Sequence, residues 1–273
     1  MLSIMKTLLL SNDDGITALG IKVLARQLAK SFKVVVVAPD RQRSASGHAL
    51  TLHKPLRFEK TDIIQPDIES WFTSGTPCDC IKFGVTQILG SAPDLIISGI
   101  NSGANLGGEI FYSGTVAAAR EGALLQIPSI AISLFSHNDF AKHYDSAAIF
   151  LDGFIKTMFS INLENVFKKT NLLNINVPDL SLDKIKEVVI TEPGIRLYND
   201  QFEKRIDPRG KEYFWLNGQT LNIAEAKNSD IYALEQNKIS ISPISLNLSC
   251  HESVENLKHY PQILNLNFNT HEN

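Results

Sequence analysis

The chain has 273 residues, with 26 Lys and Arg against 29 Asp and Glu, a formal net charge of −3 and a pI near 6.2. Such a length means one large domain or a domain with a substantial extension, and 44% hydrophobic with 20% charged residues excludes disorder as the main state. The balance of charge excludes a general nucleic-acid or anionic-membrane surface, which needs a basic excess, and no apolar run reaches transmembrane length.

Taken in order, the opening MLSIMKTLLLSNDDG carries a short apolar run and then turns acidic, unlike a secretory leader. A cytoplasmic protein is expected. Thr7–Ser11 (TLLLS) reads as a buried strand that stops at Asn12-Asp13-Asp14-Gly15, and Leu19, Val23, Leu24 and Leu28 then recur at helical spacing. Residues 33–38 (KVVVVA) are β-branched on both faces, as in a buried parallel strand, and Pro39 ends them. Runs of the same kind follow at 95–98 and 129–134, with a helix predicted over 115–126 (TVAAAREGALLQ) between them. Residues 172–177 and 188–191 are further strands. Strands alternating with helices predict an α/β fold, a parallel sheet with helices on both faces.

The character changes near residue 191. Pro193, Gly194, Pro208, Gly210 and Gly218 punctuate short polar-aromatic segments such as 212–216 (EYFWL), which predict hairpins, an insertion or an arm. Residues 239–248 (ISISPISLNL) alternate like a strand that Pro243 confines to an edge or a bend. The expected division is a catalytic core over 1–190 and a hairpin and oligomerisation extension over 191–273. Three cysteines, Cys78, Cys80 and Cys250, suit a reducing compartment, and Cys78-Asp79-Cys80 is too close for a zinc knuckle, so buried structural thiols are expected.

In open parallel sheets ligands bind beyond the carboxyl ends of the strands. The first strand is followed by Asn12, Asp13 and Asp14, the second by Asp40, Arg41, Arg43, Ser44, Ser46 and His48, and the third by Gly99, Asn101, Ser102, Gly103 and Asn105. Adjacent carboxylates repel each other at a strand end. An oxygen-liganded divalent cation relieves that conflict, and a helix-capping turn is the alternative use of Asp-Asp-Gly. Tyr112–Thr115 (YSGT) precedes the alanine-rich helix, so Ser113, Gly114 and Thr115 suit either a phosphate site at a helix N-terminus or a plain cap. There is no GxxxxGK[ST] loop, no GxGxxG after the first strand, no GxSxG elbow and no HExxH pair, which removes the P-loop, dinucleotide, esterase and zinc-peptidase readings.

The stretches SNDDGI (11–16), APDRQRSASGHALTLHKPLR (38–57), SGTPCDCIKFGV (74–85), SGINSGANLGGEIFYSGTVAAAREG (98–122) and NINVPD (174–179) resemble the stationary-phase survival protein (SurE) group of metal-dependent 5′-nucleotidases. DPRGKEYFWLNG (207–218) and SDIYALEQNKISISPISLNLS (229–249) resemble its later segments less closely. The resemblance implies a Rossmann-like core with a C-terminal arm swapped between subunits of a homodimer or homotetramer. It implies hydrolysis of nucleoside 5′-monophosphates, with 3′-nucleotides and short polyphosphate as further substrates, and one divalent cation per subunit, magnesium or manganese. Carried over, the metal ligands fall on Asp13, Asp14, Ser44 and Asn101 and the phosphate contacts on Ser113, Gly114 and Thr115, to which Asn105 is added for its amide.

Asp13 and Asp14 are expected to act in catalysis through a water activated by that cation. Asn12, Arg41, Arg43 and His48 are candidate substrate contacts. The rival readings are an exopolyphosphatase using the same site and a non-catalytic receiver-type module. The module has less than half this length and needs an Asp where this chain has Gly99-Ile100-Asn101. A haloacid-dehalogenase phosphatase needs Asp-x-Asp, and here the carboxylates are adjacent.

Overall fold

The three leucines of Thr7–Ser11 explain the layering. This run is strand β1, with Leu8 and Leu10 facing one side of a sheet and Leu9 the other, all three fully buried. The structure, a computed structural model, describes residues 5–136, 141–161, 166–167, 170–195, 198–220 and 226–260. Parts of the expected 191–273 extension (196–197, 221–225 and 261–273) lie outside the described residues.

After β1 come β2 (Lys33–Pro39), β3 (Phe58–Thr61), β4 (Glu69–Thr73), β5 (Leu95–Asn101), β6 (Ser129–Phe135), β7 (Leu172–Pro178) and β8 (Val188–Ile190). Tyr198–Ile206 (β9) and Glu212–Thr220 (β10) pair only with each other, as an antiparallel hairpin, and Ile239–Pro243 is β11. The nine remaining strands form one sheet in the order β3-β4-β2-β1-β5-β6-β7-β11-β8. From β4 to β7 all neighbours are parallel, whereas β3 and β11 run antiparallel to their partners β4 and β7. The chain leaves β1 toward β2 on one side and returns to β5 on the other. The strand order therefore reverses between β1 and β5, where open sheets of this kind leave a crevice.

Helices cover both faces. On one, α1 (Leu19–Leu28) and α4 (Tyr144–Ser160) bury Leu24, Leu28, Leu151 and Ile155 against Leu8, Leu10, Val34 and Val36. On the other, α2 (Pro77–Phe83) and α3 (Gly114–Leu124) bring Cys80, Ile81 and Ala118 onto Leu9, Val35, Val37 and Ile96. Thr76 and Asp79 make a reciprocal capping box that starts α2. Ala117, Ala118 and Ala119 give α3 high helix propensity and a slim profile, so it sits almost wholly inside. Each fully buried leucine removed to alanine costs about 2–5 kcal/mol in such a core. No helix among the described residues is long and apolar enough to cross a membrane.

The predicted α/β class and parallel core agree with this architecture. The strand predicted over 239–248 is shorter and lies inside the sheet between β7 and β11's other neighbour β8, not at an edge. It tolerates Pro243 because that residue is its last. The polar-aromatic segment is a hairpin, as read, turned at Asp207, whose carboxylate accepts from the N–H groups of Arg209 (2.8 Å) and Lys211 (2.8 Å). Cys78 and Cys80 are buried free thiols on α2, and Cys250 is an exposed one.

Candidate active-site cleft

Three loops at the carboxyl ends of β1, β2 and β5 and the N-terminus of α3 enclose a cleft of about 360 Å³. Its lining includes Asp13, Asp14, Ser44, Asn101, Asn105 and Ser113, six of the residues singled out from the sequence. The volume suits a small polar ligand.

The first loop is fixed by Asn12, whose side chain accepts from the Gly15 N–H (3.1 Å) and donates to the Gly15 carbonyl (3.0 Å). This Asx turn, with Gly15 at φ +95°, aims Asp13 and Asp14 past the end of β1. Asn12 itself is fully buried and committed to the turn, away from the cleft. Asp13 is 6% exposed. Burial raises its pKa, opposed by the Thr115 hydroxyl, which donates to Oδ1, and by the Gly114 and Thr115 N–H groups. Asp14 is pushed up to about 6 by burial and then by the neighbouring charge of Asp13, with the Ser102 N–H (3.3 Å) pulling the other way.

Two carboxylates held this close, both driven toward protonation, fit a divalent cation. The other lining groups of suitable type are also oxygens. Ser44 is an exposed hydroxyl at the rim. Asn101 donates its amide Nδ2 to the Gly103 carbonyl (2.6 Å), which leaves Oδ1 as the available ligand atom. An all-oxygen set of carboxylate, hydroxyl and amide suits magnesium or manganese better than zinc.

Against Asp13, Ser113 caps α3, its Oγ accepting from the Val116 N–H at 3.1 Å. The cap and the cleft wall are thus the same residue, so the two uses read from YSGT coexist. Gly114 is required here: a Cβ would lie 2.7 Å from the Asp13 Cβ and 2.8 Å from its Oδ2. Thr115 is fully buried behind Asp13 and does not line the cleft. Asn105 is held on all sides, its N–H donating to Asn176 Oδ1 (2.9 Å) and its Nδ2 to Ser133 Oγ (2.8 Å). Its carbonyl accepts from Asn174 (2.9 Å) and Asn176 (3.0 Å). The buried amides of NINVPD therefore serve to fix the cleft loop.

The basic residues of the second loop point elsewhere. Arg43 donates to the Ser74 carbonyl (2.6 Å) and Asp40 (3.1 Å), and Arg41 is exposed at 3.9 Å from Asp40. Gln42, Ser44 and Ala45 reach the cleft, and the neighbouring Arg41 and Arg43 do not line it. His48 lies against Glu121 of α3, Nε2 to Oε2 at 2.7 Å, and Lys82 takes the other Glu121 oxygen at 2.7 Å. Burial alone would raise the Glu121 pKa, but these two partners win and hold it low. Cys78 completes a group of three that could hold a metal ion, with its ligand atoms within 4.8 Å of one another. Its thiol, pushed up to about 12 by burial and then by Glu121, stays protonated beside a carboxylate that already has two partners.

Ser102, Glu109 and Tyr112 also line the cleft and were not singled out as contacts. Ser102 was legible as a strand-end residue. Tyr112 was quoted only as the start of YSGT, yet it is 72% exposed at the rim.

The family model described as "Survival protein SurE" matches residues 8–200 of the chain. A protein of Trichormus variabilis named 5′-nucleotidase SurE is 44% identical over 264 residues, covering 93% of this chain and 97% of that protein. One of the same name from Thermosynechococcus vestitus is 46% identical over 270 residues, covering 96% and 99%. The crystal structure of a SurE protein from Aquifex aeolicus superimposes with a TM-score of 0.79 at 37% identity, over 93% of this chain and 98% of that one. The loops that carry Asp13, Asp14, Ser44, Asn101 and Ser113 all fall inside the matched region, and the chain belongs to the SurE family.

Proposed function

We propose that this chain is a 5′-nucleotidase, a divalent-metal-dependent phosphomonoesterase that releases phosphate from nucleoside 5′-monophosphates. The observation that carries the reading is the pair of adjacent carboxylates at the reversal point of the sheet, Asp13 buried and Asp14 half-buried, with Asp13 packed against the N-terminus of α3 at the cleft. Asp13, Asp14, Ser44 and Asn101 would hold a magnesium or manganese ion. When bound, such an ion supplies charge withdrawal from the phosphoryl oxygens and activation of the attacking water.

The chain's own residues do the rest. Thr115 and the first turn of α3 hold Asp13 in one orientation and favour its charged form against the burial that raises its pKa. The Ser113 hydroxyl lines the cleft and faces the phosphoryl group, where a fixed polar group needs no rearrangement as charge develops. Tyr112 offers the base an aromatic face at the rim. The β9–β10 hairpin exposes Phe202, Phe214, Trp215 and Leu216, and it supports assembly into a homo-oligomer through this arm.

The test is phosphate release from nucleoside 5′- and 3′-monophosphates and tripolyphosphate, each with EDTA, magnesium or manganese. Release from 5′-monophosphates that needs the metal is the expected result. Release from tripolyphosphate alone would replace the reading with an exopolyphosphatase, and undiminished release in excess EDTA would remove the metal from it.

A further inference from the structure

Asp230 is a fully buried carboxylate far along the chain from the cleft loops, yet it ties three stretches of backbone together. Its Oδ2 accepts from the Gly107 N–H at 3.0 Å, across 123 residues of sequence. Its Oδ1 accepts from the N–H groups of Gly194 (2.8 Å) and Ile231 (2.9 Å). Gly107, at φ +49°, opens the single turn Gly107–Phe111 that joins the Asn101–Asn105 wall to Ser113. Gly194 lies at the foot of the β9–β10 hairpin. The same foot is pinned by the Asp230 N–H to the Glu192 carbonyl (3.0 Å) and by the Glu192 N–H to the Asn228 carbonyl (3.0 Å).

Removing the carboxylate leaves buried N–H groups without acceptors, and a cleft loop that satisfies Gly107 otherwise must move. Asn105 is anchored to β6 and β7, so the movement falls on the stretch that carries Glu109, Tyr112 and Ser113, and Ser113 adjoins Gly114, which packs against Asp13.

We propose that Asp230 is a positioning residue for the cleft, and that through it the segment after β8 forms a working part of the active site, its hairpin foot and the cleft loop held by one carboxylate. The reading of the cleft as a metal-dependent phosphomonoesterase underlies this proposal. The experiment compares wild type, Asp230→Ala, Asp230→Asn and, as a control, Asp152→Ala. Asp152 is also a buried carboxylate, but it pairs with Lys156 and Gln27 on the α1–α4 face. Three quantities are read for each: manganese affinity by calorimetry, kcat and KM for a nucleoside 5′-monophosphate, and thermal unfolding.

Asp230→Ala should weaken manganese binding and lower kcat, each by about tenfold or more, with KM shifted far less. Asp230→Asn keeps one acceptor oxygen and should fall between it and wild type. It carries the same comparison if the alanine variant does not fold. Asp152→Ala should lose thermal stability and leave manganese affinity and kcat at wild-type values. Asp230 variants that lose stability but keep wild-type manganese affinity and kcat would overturn the proposal. A wild type that binds manganese yet hydrolyses no monoester would remove the functional reading alone. The tenfold loss of manganese affinity in Asp230→Ala then still supports the positioning role, and an unchanged affinity still overturns it.

Discussion

The rim of the large sheet and the β9–β10 hairpin use their backbone in opposite ways. At the rim, polar side chains are buried and answered: Asn105, Asn174, Asn176 and Ser133 bond one another, and Asp13 is met by Thr115 and a helix end. Along the hairpin, large apolar side chains stand in the open. Phe202 lies opposite Leu216 in the antiparallel register, with Phe214 on the same side. The first region orders polar atoms around a small ligand. The second exposes apolar area that the described residues leave uncovered. Substitutions should therefore separate chemistry from assembly.

The largest effect is expected from Asp13→Asn, which keeps the size of the side chain and removes its charge. Turnover should fall by about 10²–10³-fold or more, the scale of losing one electrostatic contact to the reacting group, while size-exclusion mass stays at the wild-type value. Gly114→Ala comes next. The added methyl collides with Asp13, and overpacking of this kind costs about 1–3 kcal/mol, so kcat and the melting temperature should drop together.

Metal and pH give a subtler separation. The folded-state pKa of Asp14 is raised above its unfolded value, so its ionisation destabilises the metal-free fold as pH climbs through about 6. On the proposed function, manganese or magnesium would bind the ionised pair and relieve that penalty. Added metal should raise the melting temperature clearly at pH 7.5 and little at pH 5, and an equal rise at both would contradict the assignment of Asp14. The smallest change in chemistry belongs to the hairpin. Phe214→Ser with Leu216→Ser should lower the mass measured by light scattering while unfolding of the chain shifts by only a few tenths of a kcal/mol, as for other exposed positions. A variant that keeps the wild-type mass would detach the arm from assembly.

What could be read beforehand follows the same physical divide. Strands β1, β2, β5 and β6 are buried on both faces, which makes them continuous apolar runs that stand out in the sequence. Strand β3 (FEKT) is half exposed and only four residues long, and β4 (ESWFT) mixes polar and aromatic residues, so neither carried a pattern. Helix α4 distributes apolar residues beyond one stripe, with Ile149 turned to solvent, which blurs its period. In the cleft, Asp13, Asp14, Ser44 and Asn101 stand among many polar residues that follow marked strand ends, and the family resemblance is what picked them out as a set. Arg41 and Arg43 drew attention by charge. Which residues of that loop face inward depends on the path of its backbone, which residue type does not record, and Gln42 was therefore overlooked. Asp230 was beyond reach for a different reason, since its partners are backbone amides 36 and 123 residues away, and amides leave no trace in side-chain spacing.

Strand β1 has one more consequence. It is hydrogen-bonded to β2 on one side and β5 on the other, with Leu9 and its flanking leucines sorted onto opposite faces. A single-residue deletion anywhere in Thr7–Ser11 would force a choice between two losses. Either the leucines exchange faces, or the strand keeps its place and draws the carboxylates inward, so that Asp14 arrives where Asp13 belongs, against Thr115. The spacing from Leu9 to Asp13 thus works as a ruler, and deletions here should be far less tolerated than substitutions that preserve its length.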